Sequence, residues 1–192
     1  MITPSHILYN LVLLGKKKEP WVIWAIALGA LFPDVPNFIF FFIYGIILRL
    51  PHEVLWDGMY FNSSWNHVFN LSHSFWLVPL LLGISYLYKK RVAVFFFSSM
   101  LIHALMDFCV HSEDAYAHFW PFSAWRFQSP FSYWDPLHYG VYVSTLEVLL
   151  AFVAGVVLYT RSKGRNWKKV LILIVGVESL LVFHGLYRIY AS

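Results

Sequence analysis

The chain has 192 residues, of which 59% are hydrophobic, 20% are aromatic and only 12% are charged. An ordinary soluble domain carries about 25% charged residues, and a core of this size cannot hide nine Trp and eighteen Phe side chains. The composition therefore excludes a soluble globular protein and a disordered one, and it predicts one integral membrane domain over residues 1–192.

The net charge of +4 comes mainly from three short basic clusters, at residues 16–18, 89–91 and 161–169. Each cluster lies between apolar segments, as cytoplasmic loops do under the positive-inside rule. A nucleic-acid site would need these charges on one folded face. We therefore expect all three clusters on the cytoplasmic side and no nucleic-acid partner.

The apolar segments, in chain order, are residues 7–14, 21–48, 74–88, 92–110, 137–160 and 170–190. The first is shorter than the roughly 20 residues that a crossing needs. It is typical of a short buried N-terminal helix, with Thr3 as its N-cap and Pro4 in its first turn. The others alternate across the membrane, although Pro33 and Pro36 interrupt the second. This pattern predicts an all-α polytopic transmembrane helical bundle with about five crossings, and outer loops at 50–72 and 111–136.

Ionisable side chains within the apolar segments are the main functional signal, because they are costly at membrane depth. They are His6, Asp34, His73, His103, Asp107, His111, Glu147, Glu178 and His184.

The spacing of three of these residues indicates a metal site. His103, Asp107 and His111 follow one another at i, i+4 and i+8, which places them on one face of a helix. Asp114 and His118 continue the series if the helix persists. Imidazole and carboxylate ligands together suit Zn, Mn or Fe. We therefore expect a divalent-metal cofactor, with Zn as the first choice.

Depth supports the same interpretation. With a helical rise of about 1.5 Å per residue, six side chains lie roughly 15 to 24 Å from the nearest basic cluster. They are His6, Asp34, His73, His103, Asp107 and Glu147. A common depth in the outer half of the bilayer predicts a shared polar cavity, where a metal ion would satisfy several lone pairs at once.

Four blocks of the chain form a recognisable series: Ser5-His6-Ile7, Leu31-Phe32-Pro33-Asp34, residues 67–74, and His103 to Asp107 with Trp120-Pro121 and Trp125-Arg126-Phe127 after it. In this order they resemble the blocks of the YdjM-like family of bacterial inner-membrane proteins, which are described as metal-dependent hydrolases. The blocks span residue 5 to about residue 136.

This resemblance implies a location in the bacterial cytoplasmic (inner) membrane. It also implies a divalent-metal site at His6, Asp34, His73, His103 and Asp107, with His67 as a further candidate. The chain departs from the family pattern where Pro36 replaces a second carboxylate and Asn37 replaces the following His. His111 and Asp114 could supply replacement ligands.

The leading hypothesis is a metal-dependent hydrolase that acts from the periplasmic side on a lipid, a lipid-linked compound or another ester or phosphoester. Membrane lipid is the expected partner. Glu147 is the candidate general base, and Arg126 is the candidate clamp for an anionic group. His67, Asp114 and His118 are second-tier metal candidates.

Two alternatives come from other classes of protein. Glu147, Glu178 and His184 could form a relay in a metal-ion or proton transporter. A metal ion that only holds the bundle together would be the third hypothesis, and it would need closed coordination.

Overall fold

The structure is a computed structural model. It describes the backbone of residues 1–162 and 164–191, and their side chains except at positions 57, 165, 166 and 184–191. The side chain of His184, a predicted relay residue, therefore lies outside the described residues. The described chain is helical and contains no strand, which confirms the all-α prediction.

Within the described residues, nine α-helices follow one another, with short 3₁₀ and π-helical stretches between some of them. They are α1 (Thr3–Leu14), α2 (Pro20–Leu31), α3 (Val35–Phe40), α4 (Tyr60–Asn62), α5 (Trp65–Ser72), α6 (Leu77–Leu87), α7 (Arg91–Val110), α8 (Gly140–Arg161) and α9 (Arg165–Ala191).

The number of candidate membrane spans in the described part of the chain is lower than the about five crossings that the sequence predicted. Within the described residues, three helical stretches are long and apolar enough to cross a membrane: Pro20–Ile47, Arg91–Val110 and Gly140–Arg161. A fourth span results if α5 and α6, which are bent by 49°, count as one. The expected crossing at 74–88 is wrong as a single helix, because α6 has 11 residues and is only about 16 Å long.

The chain between α2 and α5 is irregular for an identifiable reason. Pro33 and Pro36 each lack a backbone donor, and α2 gives way there to a 3₁₀ turn, Phe32–Asp34, before α3 begins. A π-helical stretch, Phe41–Ile47, completes this span. The predicted outer loop 50–72 is largely helical, since a second π-helical stretch, α4 and α5 occupy most of it.

Close packing joins α1, α2 and α7. At Gly29 of α2 an added Cβ would collide with the carbonyl oxygen of Phe96 on α7. Nearby, Ser99 Oγ donates to the carbonyl of Ile26 at 2.7 Å, and Asn10 Nδ2 of α1 donates to Ser99 O at 2.9 Å. These contacts hold α1, α2 and α7 together. Other residues on or next to the same helices meet at a buried polar site, which we call the polar centre.

The three basic clusters lie at one end of the bundle. Arg91 Nη1 is 2.8 Å from Glu19 Oε1, and Lys18 Nζ is 4.7 Å from the centre of the Phe95 ring. Arg161 Nη1 donates to the carbonyl of Val12 at 3.1 Å. The sequence separation of 16 residues between Arg91 and Asp107 places the polar centre roughly 24 Å away from this end.

Candidate metal centre

Two carboxylates and two imidazoles meet inside the bundle. One ligand atom from each of Asp34, His73, His103 and Asp107 lies within 4.8 Å of the others, and all four residues are buried. We call this group the metal cluster. Asp34 ends the 3₁₀ turn after α2, His73 follows the last residue of α5, and the other two lie on α7.

Backbone carbonyl groups set the orientation of both imidazoles. His103 Nδ1 is 2.7 Å from the carbonyl oxygen of Ala30, and His73 Nδ1 is 2.9 Å from that of Phe69. A carbonyl oxygen can only accept, so each Nδ1 carries the proton and donates it. In the neutral ring, Nε2 then presents a lone pair, as in most metal-binding histidines.

Those Nε2 atoms face carboxylates without forming hydrogen bonds. His103 Nε2 lies 3.0 Å from Asp107 Oδ2 and 3.5 Å from Asp34 Oδ1, and His73 Nε2 lies 3.4 Å from Asp107 Oδ2. Both nitrogens are buried and have no hydrogen-bond partner. Because lone pairs and anionic oxygens converge here, the four residues fit a divalent cation, which would offset their two negative charges.

The second carboxylate oxygen of Asp107 faces a different set of groups. Oδ1 is 2.9 Å from His6 Nε2, 3.4 Å from His111 Nε2 and 2.9 Å from the amino group of Met1. The His6 ring also stacks on His103, with 3.7 Å between ring centres. His6 therefore contacts the metal cluster through Asp107 and His103, and His111 contacts it through Asp107, although neither belongs to the group of four.

The helix that carries the predicted ligand series ends earlier than expected. The last residue of α7 is Val110, and His111 has extended backbone angles. The condition under which Asp114 and His118 would continue the helical series is therefore not met. His111 Nδ1 instead lies 2.8 Å from Asp114 Oδ2. Burial lowers the pKa of His111, but the Asp114 and Asp107 carboxylates outweigh it and raise that pKa to about 9.

The second-tier candidates lie apart from the metal cluster. His67 is exposed and stacks on Trp120, with 4.7 Å between ring centres. His118 is buried, its Nδ1 is 3.0 Å from the carbonyl oxygen of Tyr116, and its ring centre is 6.5 Å from that of His73. Burial, with His73 nearby, lowers the pKa of His118 to about 3.

Three further residues support the metal cluster, and the sequence had not indicated this role for two of them, Thr3 and Tyr116. Thr3 Oγ1 donates to Asp34 Oδ2 at 2.5 Å, and Tyr116 stacks on His73 with 3.7 Å between ring centres. Ser72 Oγ lies 3.1 Å from the carbonyl of Pro33, which joins α5 to the turn that carries Asp34. Thr3 is not the N-cap, since Ile2 holds that position and the Thr3 hydroxyl is used at the site.

A cavity of about 540 Å³ adjoins the metal cluster at Asp34. Its lining is rich in aromatic side chains, among them Trp56, Tyr60, Tyr116 and Tyr133. Exposed residues such as Glu113 also line it, so the cavity reaches the surface. Its size is in the range of small-molecule sites, and it offers a ligand access to Asp34.

Arg126 does not line this cavity within the described chain. Its Nη1 donates to the carbonyl of Ala115, and its Nη2 donates to Asn66 Oδ1 at 2.9 Å. The guanidinium group also lies over the Phe61 ring, at 5.2 Å from its centre. These contacts hold the aromatic segment after α7 against α5.

A second buried polar group lies on another side of α1. Ser5 Oγ donates to Glu178 Oε1, and Glu147 Oε1 accepts a hydrogen bond from Ile2 N at 2.8 Å. The Oε2 atoms of Glu147 and Glu178 are both buried and have no hydrogen-bond partner. We call Ser5, Glu147 and Glu178 the glutamate cluster.

Comparison with known proteins agrees with the family resemblance. The family model described as YdjM inner membrane protein matches residues 1–188, and the chain therefore belongs to this family. The family description and the apolar helices together indicate an inner-membrane protein. No curated protein and no solved structure matched the chain.

Proposed function

We propose that this member of the YdjM inner membrane protein family is a membrane-embedded, divalent-metal-dependent hydrolase of ester or phosphoester bonds. The observation that carries the proposal is the convergence of two carboxylates with two imidazoles whose buried Nε2 atoms have no hydrogen-bond partner. A divalent cation at this centre supplies a Lewis acid for a carbonyl or phosphoryl oxygen. Zinc is the first ion to test, with Mn and Fe as alternatives.

The chain's own residues would bind, orient and accept protons. Asp34, His73, His103 and Asp107 would hold the cation, and the bonds from both Nδ1 atoms to backbone carbonyls keep each Nε2 directed at the centre. The proposed general base is a carboxylate oxygen of the metal cluster that the cation would leave free, because Glu147, the other candidate, lies in the glutamate cluster on another side of α1 and does not line the cavity beside Asp34.

The cavity beside Asp34 favours a substrate with a substantial apolar or ring-containing part. Its aromatic walls offer apolar surface to such a part of the substrate beside the metal cluster. A lipid or lipid-linked substrate that enters from the periplasmic side fits this lining. Arg126 has no part in this proposal, because its donors bond to Ala115 and Asn66.

Chelation followed by metal restoration tests the proposal. The purified protein in detergent would be stripped with a chelator and assayed on p-nitrophenyl acetate, p-nitrophenyl phosphate and bis(p-nitrophenyl) phosphate, before and after addition of Zn²⁺ or Mn²⁺. We expect hydrolysis of at least one ester only after the metal is restored. His103→Ala should abolish it, whereas His67→Ala, an exposed control outside the metal cluster, should retain it. Hydrolysis that survives chelation, or that survives in His103→Ala, would contradict the proposal.

A second candidate function, proton or metal-ion transport, is favoured by the glutamate cluster. Its two carboxyl groups are buried and each has an oxygen without a hydrogen-bond partner, which is a feature of proton pathways in membranes. Proteoliposomes that carry a pH-sensitive dye would detect such a flux. A flux lost in Glu178→Gln, with the metal retained, would favour transport over hydrolysis.

A further inference from the structure

A second cavity, of about 640 Å³, lies at the basic end of the bundle. The turn between α1 and α2 contributes to it, as do Ser162 and Gly164 between α8 and α9. Its apolar part includes Leu11, Ile23, Leu158 and Leu171. Leu11 and Leu171 are buried members of two hydrophobic clusters; Ile23 packs against the cluster of Leu11, and Leu158 packs against both. A molecule in this cavity would therefore contact the apolar interior of the bundle.

Four cationic side chains line the same cavity: Lys16, Lys17, Lys18 and Arg161. Among the described side chains none of the four forms an ion pair, because the neighbouring Glu19 carboxylate is paired with Arg91 instead. Lys16 and Lys17 are exposed. The rim of the cavity thus carries positive charge that the described protein does not neutralise.

We propose that this cavity binds the headgroup and proximal acyl chain of an anionic phospholipid from the cytoplasmic leaflet. The chemistry of the two parts matches that of such a lipid, since the rim would neutralise a phosphate and the apolar wall would cover hydrocarbon. Basic pockets between transmembrane helices on the cytoplasmic side bind anionic headgroups in this way. Trp167 also lines the cavity, and Trp is favoured at the membrane interface.

The bound lipid has a structural consequence for α1. The cavity joins the end of α1 to α8 and α9, and α1 is the helix that carries His6 and Ser5. A lipid that bridges the two turns would hold α1 against the rest of the bundle. We therefore expect anionic lipid to raise the thermal stability of the protein. This inference does not depend on the proposed hydrolase activity.

The chain supplies a matched control for the test. Lys89 and Lys90 are also exposed and belong to another basic cluster at the same end of the bundle, but they do not line this cavity. Replacing Lys16 and Lys17 by Gln therefore removes the same charge from the same end as replacing Lys89 and Lys90 by Gln. Only the replacement of Lys16 and Lys17 should alter the proposed lipid-binding cavity.

The experiment compares dioleoylphosphatidylglycerol with dioleoylphosphatidylcholine by native mass spectrometry of the delipidated protein and by thermal unfolding. We expect wild type to bind the anionic lipid at least tenfold more tightly than the zwitterionic lipid and to melt at a higher temperature in its presence. K16Q/K17Q should lose most of this preference, and K89Q/K90Q should change it less than twofold. An equal loss of lipid preference in both variants would mean that the preference depends only on general surface charge. This result would overturn the proposal. Absence of lipid preference in wild type would overturn it without any variant.

Discussion

Helix α1 lies between two buried polar clusters that differ in their chemistry. The metal cluster combines nitrogen and oxygen ligands from three elements, and its imidazoles are oriented by backbone carbonyls. The glutamate cluster offers only oxygen atoms, from Ser5, Glu147 and Glu178. Lone pairs that converge on carboxylates need a cation, whereas buried carboxyl groups alone are tolerated when neutral. The difference indicates that, among the described residues, the metal cluster is the better suited of the two to hold a metal ion.

The largest effect should follow from removing a ligand of the metal cluster. His103→Ala deletes an Nε2 atom that lies 3.0 Å from Asp107 Oδ2. Loss of a group that only supports a ligand costs about 10- to 100-fold in metal affinity, so loss of the ligand itself should cost more than about 100-fold. Isothermal titration of the stripped protein with Zn²⁺ would measure this, with His67→Ala as the control. If His103→Ala bound Zn²⁺ as tightly as wild type does, the metal cluster could no longer be distinguished from the glutamate cluster as the metal site.

A supporting residue of the metal cluster should have a smaller effect. Ser72→Ala removes a hydroxyl that lies 3.1 Å from Pro33 O and 3.1 Å from His73 Nδ1. The turn that carries Asp34 would then be less firmly joined to α5, and we expect metal affinity to fall about tenfold. The same titration measures it, with Ser179→Ala on the exposed side of α9 as the control. Unchanged affinity in Ser72→Ala would show that this contact does not support the centre.

Part of the metal cluster could be predicted from the sequence because a helix has a fixed rise per residue. Counting from the basic clusters placed Asp34, His73, His103 and Asp107 at similar depths, and the structure brings these four together. The contact between Thr3 and Asp34 could not be predicted, since it depends on how α1 packs against the turn after α2.

The number of crossings and the end of α7 were harder to predict, for reasons of packing. Hydropathy indicated a single span at 74–88, but the 49° bend between α5 and α6 is a tertiary feature. No Gly or Pro marks the end of α7, and the chain leaves the helix at His111, whose carbonyl accepts from Ser129 N at 3.0 Å. That hydrogen bond joins residues 18 positions apart, which local patterns do not specify.

Replacing His118 should modestly change how far the stability of the folded protein falls at acidic pH. Its pKa is lowered to about 3 by burial, whereas an unfolded imidazole titrates near 6.5. The folded protein therefore loses stability as the pH falls from about 6.5 toward 3, because only the unfolded state takes up this proton. His118→Asn should show a fall in Tm between pH 7 and pH 5 that is smaller by a few degrees. A fall in Tm that is equal in His118→Asn and in wild type would contradict the expected contribution of His118 to acid sensitivity.

The smallest effect on metal binding should come from the glutamate cluster. Glu178→Gln keeps the size of the side chain and can still accept from Ser5 Oγ. We expect its affinity for Zn²⁺ to remain within about twofold of wild type, because Glu178 is not a member of the metal cluster. Loss of the metal in this variant would mean that the two clusters act as one site.

The central claim is that Asp34, His73, His103 and Asp107 hold a divalent cation. X-ray absorption spectroscopy at the zinc edge, on protein stripped and then reloaded, tests it most directly. The account predicts about one tightly held zinc ion per chain, with a coordination shell of nitrogen and oxygen that includes two imidazoles. A spectrum of fully hydrated zinc, or an imidazole contribution that persists unchanged in His103→Ala, would contradict it.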